Sequence, residues 1–262
     1  MATPRNRSVL KAFTMLKSFR HADEWVTSSE LSRRARLPEA SGYRLIQTLE
    51  EIGAVVRGAH GRYRPGLLLV SLSQNVQVDD CLREAARGIM SEMSERLNIT
   101  AHLGRLDGGM VTYIAKFSTP ESCPTHTRPG AQLEPYSSGL GKVLLASLPQ
   151  TELENFIMEG DFVALTPHTI TDRNVFKAEL ENVRKNGFAV DDRESRMDIS
   201  CVAVPVRDNE GRTVASMSVT ERPESMTPAR RDELKQALMD AAAALSRKAF
   251  PVGPTLVSRK AS

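Results

Sequence analysis

No apolar run in the sequence approaches the roughly 18 residues that a membrane-spanning helix requires, so no association with a membrane is expected. Cysteine is scarce: Cys81, Cys123 and Cys201 are three in number and far apart. An odd, dispersed set of this kind builds neither a disulfide framework nor a zinc site, and a reduced, cytoplasmic compartment is expected. There is no phosphate-cradling glycine loop, no dinucleotide fingerprint and no grouping of metal ligands, so neither cofactor nor metal is expected. Internal repeats and low-complexity blocks are absent too. The opening MATPRNRSVLKAF carries no long apolar stretch, which argues against a secretory leader.

What remains is a chain of 262 residues, 40% of them apolar, enough for two packed domains or one large one. Its net charge of +3 is unevenly spread. Residues 1–75 hold 12 Lys and Arg against 6 Asp and Glu, whereas the remainder holds 23 against 26. A basic first third on a slightly acidic body suggests a local surface for a polyanion.

The periodicity of that first third is helical. Beyond a tail over Met1–Ser8, the stretch SVLKAFTMLKSF places Val9, Leu10, Phe13, Leu16 and Phe19 on one side of a helix. Thr27 and Ser28 are N-cap candidates, and Glu30 follows Thr27 at the spacing of a capping box. Leu31, Ala35 and Leu37 should face inward, and Pro38 suits the first turn of the next helix. That helix should run to Ile52 and stop at Gly53 in a left-handed cap. Leu45, Leu49 and Ile52 would form its inner side. After it, AVVR and GRYRPG read as a hairpin around GAHG. Three helices and a basic hairpin make a winged helix-turn-helix.

The outer side of the second helix then carries the chemistry of a major-groove reader. Arg44 can donate to guanine or phosphate, Gln47 can pair with adenine, and Tyr43 can reach a phosphate or a thymine methyl. Ser41 is placed for a phosphate or a cap. Arg57 and Arg62 on the hairpin, with His60 and Arg64, could straddle the DNA backbone or enter the minor groove. The simpler alternative is an amphipathic helix with an ordinary solvent face.

Farther on, a helix from Val78 keeps Cys81, Leu82, Ala85, Ile89, Met93 and Leu97 in helical register and reads as a linker. A hairpin around DGG, helices near Gly139–Ser147, Thr151–Met158 and Arg173–Asn186, three strands, and a last helix over Pro228–Ala249 complete the pattern. The fold class is α+β, with domains expected at 1–72 and 99–250, the linker helix at 73–98 and a tail at 251–262.

The stretches SELSRRARLPEASGYRLIQTLEEIGAV, GRYRPGLLL, YSSGLGKVLLASLP and GFAVDDRESRMDISCVAVPVRDNEGRTVASMSVT together resemble the isocitrate lyase regulator (IclR) family of bacterial transcription factors. The resemblance runs from about Val9 to Leu245. It implies an N-terminal DNA-binding domain, a linker helix that dimerises, a C-terminal GAF-like domain that binds a small molecule, and assembly as a homodimer or homotetramer. It also implies effector contacts at Gly139, Leu140, Asp191, Cys201, Ser218 and Thr220, with Ser122 on a loop above them. The chain departs from the family in PEASGYR, where Lys-Ser-Thr and His-Arg are frequent, in Asp198, where glycine is common, and in Arg207, where an aromatic or His is frequent. Asp198 would constrain its loop if the backbone there needs angles that glycine permits.

Those positions make chemical sense together. Ser218 and Thr220, two apart on a strand, turn both hydroxyls to one face, and SSG ahead of a helix leaves N–H groups free for a carboxylate. Asp191 beside such an anion would have to be protonated or accept a ligand hydroxyl. A small organic acid carrying a hydroxyl or an amine, such as an aromatic hydroxy acid, follows as effector, and operator DNA as partner, with repression as the default mode and activation as the alternative. Plainer roles stand beside these: Cys201 as a small strand residue, Ser218 and Thr220 as a polar strand face, Asp191 and Asp192 as turn carboxylates. Two other functions remain open at this point. One is a ligand-sensing adaptor that binds protein or RNA. The other is an enzyme with Cys201 as nucleophile and His102, His126 or His168 as base.

Overall fold

The computed structural model describes residues 5–21 and 23–251. Parts of both expected tails lie outside the described residues. Of the first, Arg7 already belongs to a helix, because the Asn6 side chain accepts the Ser8 and Val9 N–H groups and starts it. The chain divides into two compact units at Gln77 and Val78.

The first unit contains α1 (Arg7–Leu16), β1 (Val26–Thr27), α2 (Ser28–Arg34), α3 (Glu39–Glu51), β2 (Val55–Arg57), β3 (Arg62–Pro65) and α4 (Leu67–Ser73). Thr27 caps α2 by accepting the Glu30 N–H, as expected of an N-cap, while the Glu30 carboxylate pairs with Arg33 and Arg34 instead of completing a capping box. Pro38 sits one place earlier than expected: it is the N-cap of α3 and Glu39 is the first helical residue. The buried face of α3 also differs from the expected one. Gly42, Ile46 and Leu49 are buried, Leu45 is half-buried, and Ile52 is exposed. The cause is close helix packing at Gly42, where an added Cβ would stand 1.9 Å from Ser32 Oγ of α2. Met15, Val26, Leu31, Ile46, Leu49 and Tyr63 fill the core. The expected hairpin is a three-stranded sheet, because β1 adds to β3 through Val26 opposite Tyr63. The short helix α4 leaves Leu67 81% exposed, with Val70 and Leu72 also uncovered.

The second unit is built on a six-stranded antiparallel sheet in the order β6-β5-β4-β9-β8-β7. Its strands are β4 (Thr100–Asp107), β5 (Met110–Phe117), β6 (Gln132–Leu133), β7 (Ala189–Asp192), β8 (Ser200–Arg207) and β9 (Thr213–Glu221). Its helices are α5 (Val78–Leu97), α6 (Gly139–Ala146), α7 (Gln150–Glu159), α8 (Arg173–Asn186) and α9 (Pro228–Ala249). One sheet face turns Ala101, Leu103, Val202, Val204, Met217 and Val219 against α5 and α9. The helix read as a linker therefore buries Leu82, Ala85, Ala86, Met90 and Met93 inside this unit, and that apolar side is taken by its own sheet. The other sheet face meets α6, while Phe176, Leu180 and Val183 of α8 and Leu153 and Ile157 of α7 close a second core around that helix.

Candidate functional site

Two places on the chain gather the chemistry singled out in the sequence. The first is the outer face of α3 and the turn between β2 and β3. Tyr43 is 46% exposed, and Arg44 and Gln47 are exposed beside it, opposite the buried Gly42, Ile46 and Leu49. Gln47 Nε2 donates to Tyr43 Oη at 3.0 Å, so the two side chains hold one another one helical turn apart. Ser41 is half-buried at the start of this face. Glu39, which might have repelled a phosphate, accepts a hydrogen bond from the Ser29 hydroxyl.

The arginines of this unit divide by partner. Arg33 and Arg34 on α2 are neutralised by Glu30, and Arg34 also by Glu24. Among the described residues, Arg44, Arg57, Arg62 and Arg64 form no ion pair. Arg64 instead places its guanidinium over the Trp25 ring, 4.8 Å from the centroid. The turn between the strands carries His60 at φ 56° and Gly61 at φ 68°, which brings Arg57 and Arg62 to its two sides.

The second place is a cavity of ≈ 260 Å³ in the second unit. Gly139, Leu140, Asp191, Cys201, Ser218 and Thr220 all line it. Sheet register brings the strand residues together: Thr100, Thr220 and Cys201 stand in one cross-strand row, and His102, Ser218 and Ala203 in the next. Alternation then turns both rows to the same face. Ser122, the seventh expected residue, does not line the cavity. Its hydroxyl is bonded to Thr100 Oγ1 and to the Thr119 carbonyl, each at 2.9 Å, and ties its own loop to β4.

The cavity is open at the start of α6. Ser138 Oγ accepts the Gly141 N–H at 3.1 Å and the Ser138 carbonyl accepts the Lys142 N–H at 2.9 Å. The N–H groups of Gly139 and Leu140 are left in the first turn without intrahelical acceptors. Gly141 is required here for a steric reason: a Cβ would lie 2.1 Å from the carbonyl oxygen of Pro135, in the turn on which the helix start rests.

Asp191 lines the cavity and also shapes a loop. Its Oδ1 accepts the Glu194 N–H at 2.7 Å and the Ser195 N–H at 3.4 Å, and its Oδ2 accepts the Ser195 hydroxyl at 2.7 Å. Both oxygens are thus engaged in shaping the loop between β7 and β8, and burial pushes the carboxyl above its usual range. The loop is fastened from the other side by Lys142, which is 0% exposed and donates to Glu194 Oε1 at 2.7 Å and Glu179 Oε1 at 2.9 Å. Among the described residues Glu194 Oε2 has no partner, and burial raises this carboxyl to about 7. Asp198 does not sit at a left-handed angle. The left-handed residue of this loop is Arg193, at φ 62°, and Asp198 accepts two bonds from Arg196, at 2.9 and 2.7 Å. The aspartate therefore fits where a glycine was expected to matter.

The remaining lining sets the electrostatics. His102 is held down at about 3 by burial and by Lys116, so its imidazole is neutral. Its Nε2 shares a 2.6 Å hydrogen bond with Thr127 Oγ1. Cys201 Sγ and Thr220 Oγ1 share one of 3.2 Å, and burial, reinforced by Asp191, pushes the thiol well up. That is the reverse of what activates a nucleophilic thiolate. An anion in this cavity would find its attraction in the backbone of α6 and in Arg196 at the rim, while Tyr113, Leu133, Leu140 and Ile199 supply apolar walls. Lys142, Glu194, Ser195, Arg196 and Tyr113 were not singled out from the sequence as site residues. Lys142 and Glu194 belong to stretches that carry the family resemblance, but that they meet each other shows only once the loop between β7 and β8 closes over α6.

The family model described as the IclR helix-turn-helix domain matches residues 8–59, and the one described as bacterial transcriptional regulator IclR C-terminal matches residues 75–247. The HTH-type transcriptional regulator XynR of Escherichia coli (strain K12) is 31% identical over 246 residues, which cover 93% of this chain and 97% of that protein. The crystal structure of Thermotoga maritima IclR is 31% identical with a TM-score of 0.62, over 93% of this chain and 98% of that one. An IclR homologue from Microbacterium hydrocarbonoxydans, complexed with 4-hydroxybenzoate, shares the fold at 22% identity and a TM-score of 0.61, over 92% of this chain and 98% of that one. The matched domains are DNA-binding and regulatory, not catalytic. Among the described residues, no helix is long and apolar enough to cross a membrane.

Proposed function

The chain belongs to the IclR family of bacterial transcriptional regulators, and we propose that it is a cytoplasmic repressor that binds operator DNA as a homodimer or homotetramer and answers to a small organic acid carrying a hydroxyl. The observation that carries the ligand class is the cavity at the start of α6. Unaccepted N–H groups of Gly139 and Leu140 suit a carboxylate, the Tyr113, Leu133 and Ile199 walls suit a flat apolar body, and Ser218, with the His102–Thr127 pair, suits a hydroxyl at the far end. Calorimetry with 4-hydroxybenzoate and benzoate tests this. The hydroxy acid should bind about tenfold more tightly, the worth of one satisfied buried hydrogen bond. Equal affinities would remove the hydroxyl from the proposal.

On the DNA side, Tyr43, Arg44 and Gln47 of α3 enter the major groove, while Arg57 and Arg62 of the wing, with Ser41, hold phosphates. Two copies would present their reading helices to grooves about 34 Å apart on a palindromic site. Pairing of copies fits the uncovered apolar residues of α1 and α4: Phe13 is 60% exposed, and Leu67, Val70 and Leu72 are uncovered. The coupling between effector and DNA is reciprocal and of order ~1–3 kcal/mol.

A further inference from the structure

We propose that the second unit carries another binding site, for a small anion with an apolar body, in a cleft at the opposite end of α6 from the effector cavity. The cleft encloses ≈ 510 Å³. Val143, Leu148, Pro149 and Val183 contribute its apolar floor, Arg184 and Arg207 its charge, and among the described residues no acidic side chain lines it. A third arginine on the lining, Arg212, is already paired with Asp208 and Glu210.

Three observations make this a site for an anion. First, Arg184 and Arg207 have no carboxylate partner among the described residues. Arg184 donates to the carbonyls of Ala146 and Leu148, at 2.8 and 3.2 Å, and Arg207 to that of Gly211 at 2.9 Å. A guanidinium has five N–H donors in a planar fork, so each arginine keeps free donors beside the cleft. Second, the ladder between β8 and β9 is interrupted beside Arg207. Val206 pairs with Ala215 and Arg207 with Thr213, which leaves Val214 as the extra residue of a bulge. Bulges re-aim the side chains next to them, and both Arg207 and Thr213 line the cleft. Third, Thr213 Oγ1 is buried with no hydrogen-bond partner among the described residues. A buried hydroxyl left unsatisfied costs free energy; Thr213 lines the cleft, and a rotation of its side chain toward a bound anion would supply that partner. The fork geometry suits a carboxylate or a phosphate, and the floor suits an aryl or alkyl body.

Such a ligand would bear on the same helix as the effector. Gly139 and Leu140 line the effector cavity, and Val143 and Ala146 line the cleft. Arg184, which caps the Ala146 carbonyl, is common to the helix end and the cleft. Occupancy there would therefore modulate the response to the first ligand, and the reverse.

Calorimetry on the full chain with phenyl phosphate, 3-phenylpropionate and inorganic phosphate decides the matter, using the wild type, Arg207→Gln and Ser218→Leu. Arg207 is exposed and outside both cores, so its substitution leaves the fold intact; Ser218→Leu fills the effector cavity. At least one of the two aryl anions should bind, and the pair distinguishes a phosphate from a carboxylate site. Arg207→Gln should weaken that binding about tenfold, and Ser218→Leu should leave it unchanged. The proposal is overturned if neither aryl anion binds at millimolar concentration, if Arg207→Gln binds as the wild type does, or if Ser218→Leu abolishes binding. Inorganic phosphate binding as tightly as phenyl phosphate would overturn the part assigned to the apolar floor.

Discussion

The helices α3 and α6 each begin one of the two candidate surfaces, and they present their chemistry by opposite means. α3 keeps its first turn for structure and offers side chains: Tyr43, Arg44 and Gln47 stand outward from a face whose reverse is Gly42, Ile46 and Leu49. All eight residues of α6 are buried, and what it offers is backbone, the N–H groups of Gly139 and Leu140. The first arrangement can be retuned residue by residue for a new base sequence. The second is fixed by packing, with Gly141 against Pro135 and Lys142 between Glu179 and Glu194. A regulator so built would vary its operator more easily than the anchoring end of its ligand.

That contrast has breaking points, and the largest is Lys142→Ala. It leaves Glu194 buried without its cation and should destabilise the second unit by about 3–5 kcal/mol, read from denaturant unfolding, while the melting of the first unit stays put. A loss under 1 kcal/mol would mean that the triad is incidental to the packing of α6. Somewhat smaller is a pH effect from Glu194, which faces Lys142, Glu179 and Asp191. Burial raises it from 4.5 to about 7, so the folded unit holds a proton that the unfolded chain has released. Stability is therefore greatest on the acid side of this window and falls as pH rises through it. Glu194→Gln should flatten that slope in melting curves taken between the two values, and an unchanged slope would assign it elsewhere.

On α3, Arg44→Ala should cost about 1–3 kcal/mol of operator affinity, followed by fluorescence anisotropy, with effector affinity unchanged. Equal losses of both would erase the division of labour between the helices. The smallest effect is Tyr43→Phe. It removes the acceptor of the Gln47 amide and should shift DNA affinity by about 0.5–1.5 kcal/mol without altering the fold.

How much of this was legible in the sequence follows the same contrast. Long elements with strong periodicity stand where the spacing puts them, α8 at Arg173–Asn186 and α9 at Pro228–Ala249 among them. The outward polar face of α3 was also readable, because amphipathicity is a local property. Its buried face is not fully so: a glycine scores as no hydrophobe, so the spacing points to Leu45, Leu49 and Ile52, whereas Gly42, Ile46 and Leu49 are the buried stripe. The two-residue strands β1 and β6 are too short for any period and exist through non-local pairing. Of the cavity, the strand alternation at Ser218 and Thr220 could be read, but the loop bonds that occupy Asp191 and the attachment of Ser122 to Thr100 depend on chain closure across distant positions. The burial of Lys142 is not legible locally, because its two carboxylates arrive from residues 179 and 194.

The chain contains one tryptophan, and its ring lies under the Arg64 guanidinium of the wing. Ultraviolet emission excited at the indole therefore originates from a single place, beside the strands that would grip a phosphate backbone. If a duplex drew Arg64 away from that ring, the local field around the fluorophore would change and the spectrum would move with it. The indole would then serve as an optical gauge of wing engagement, usable without a dye.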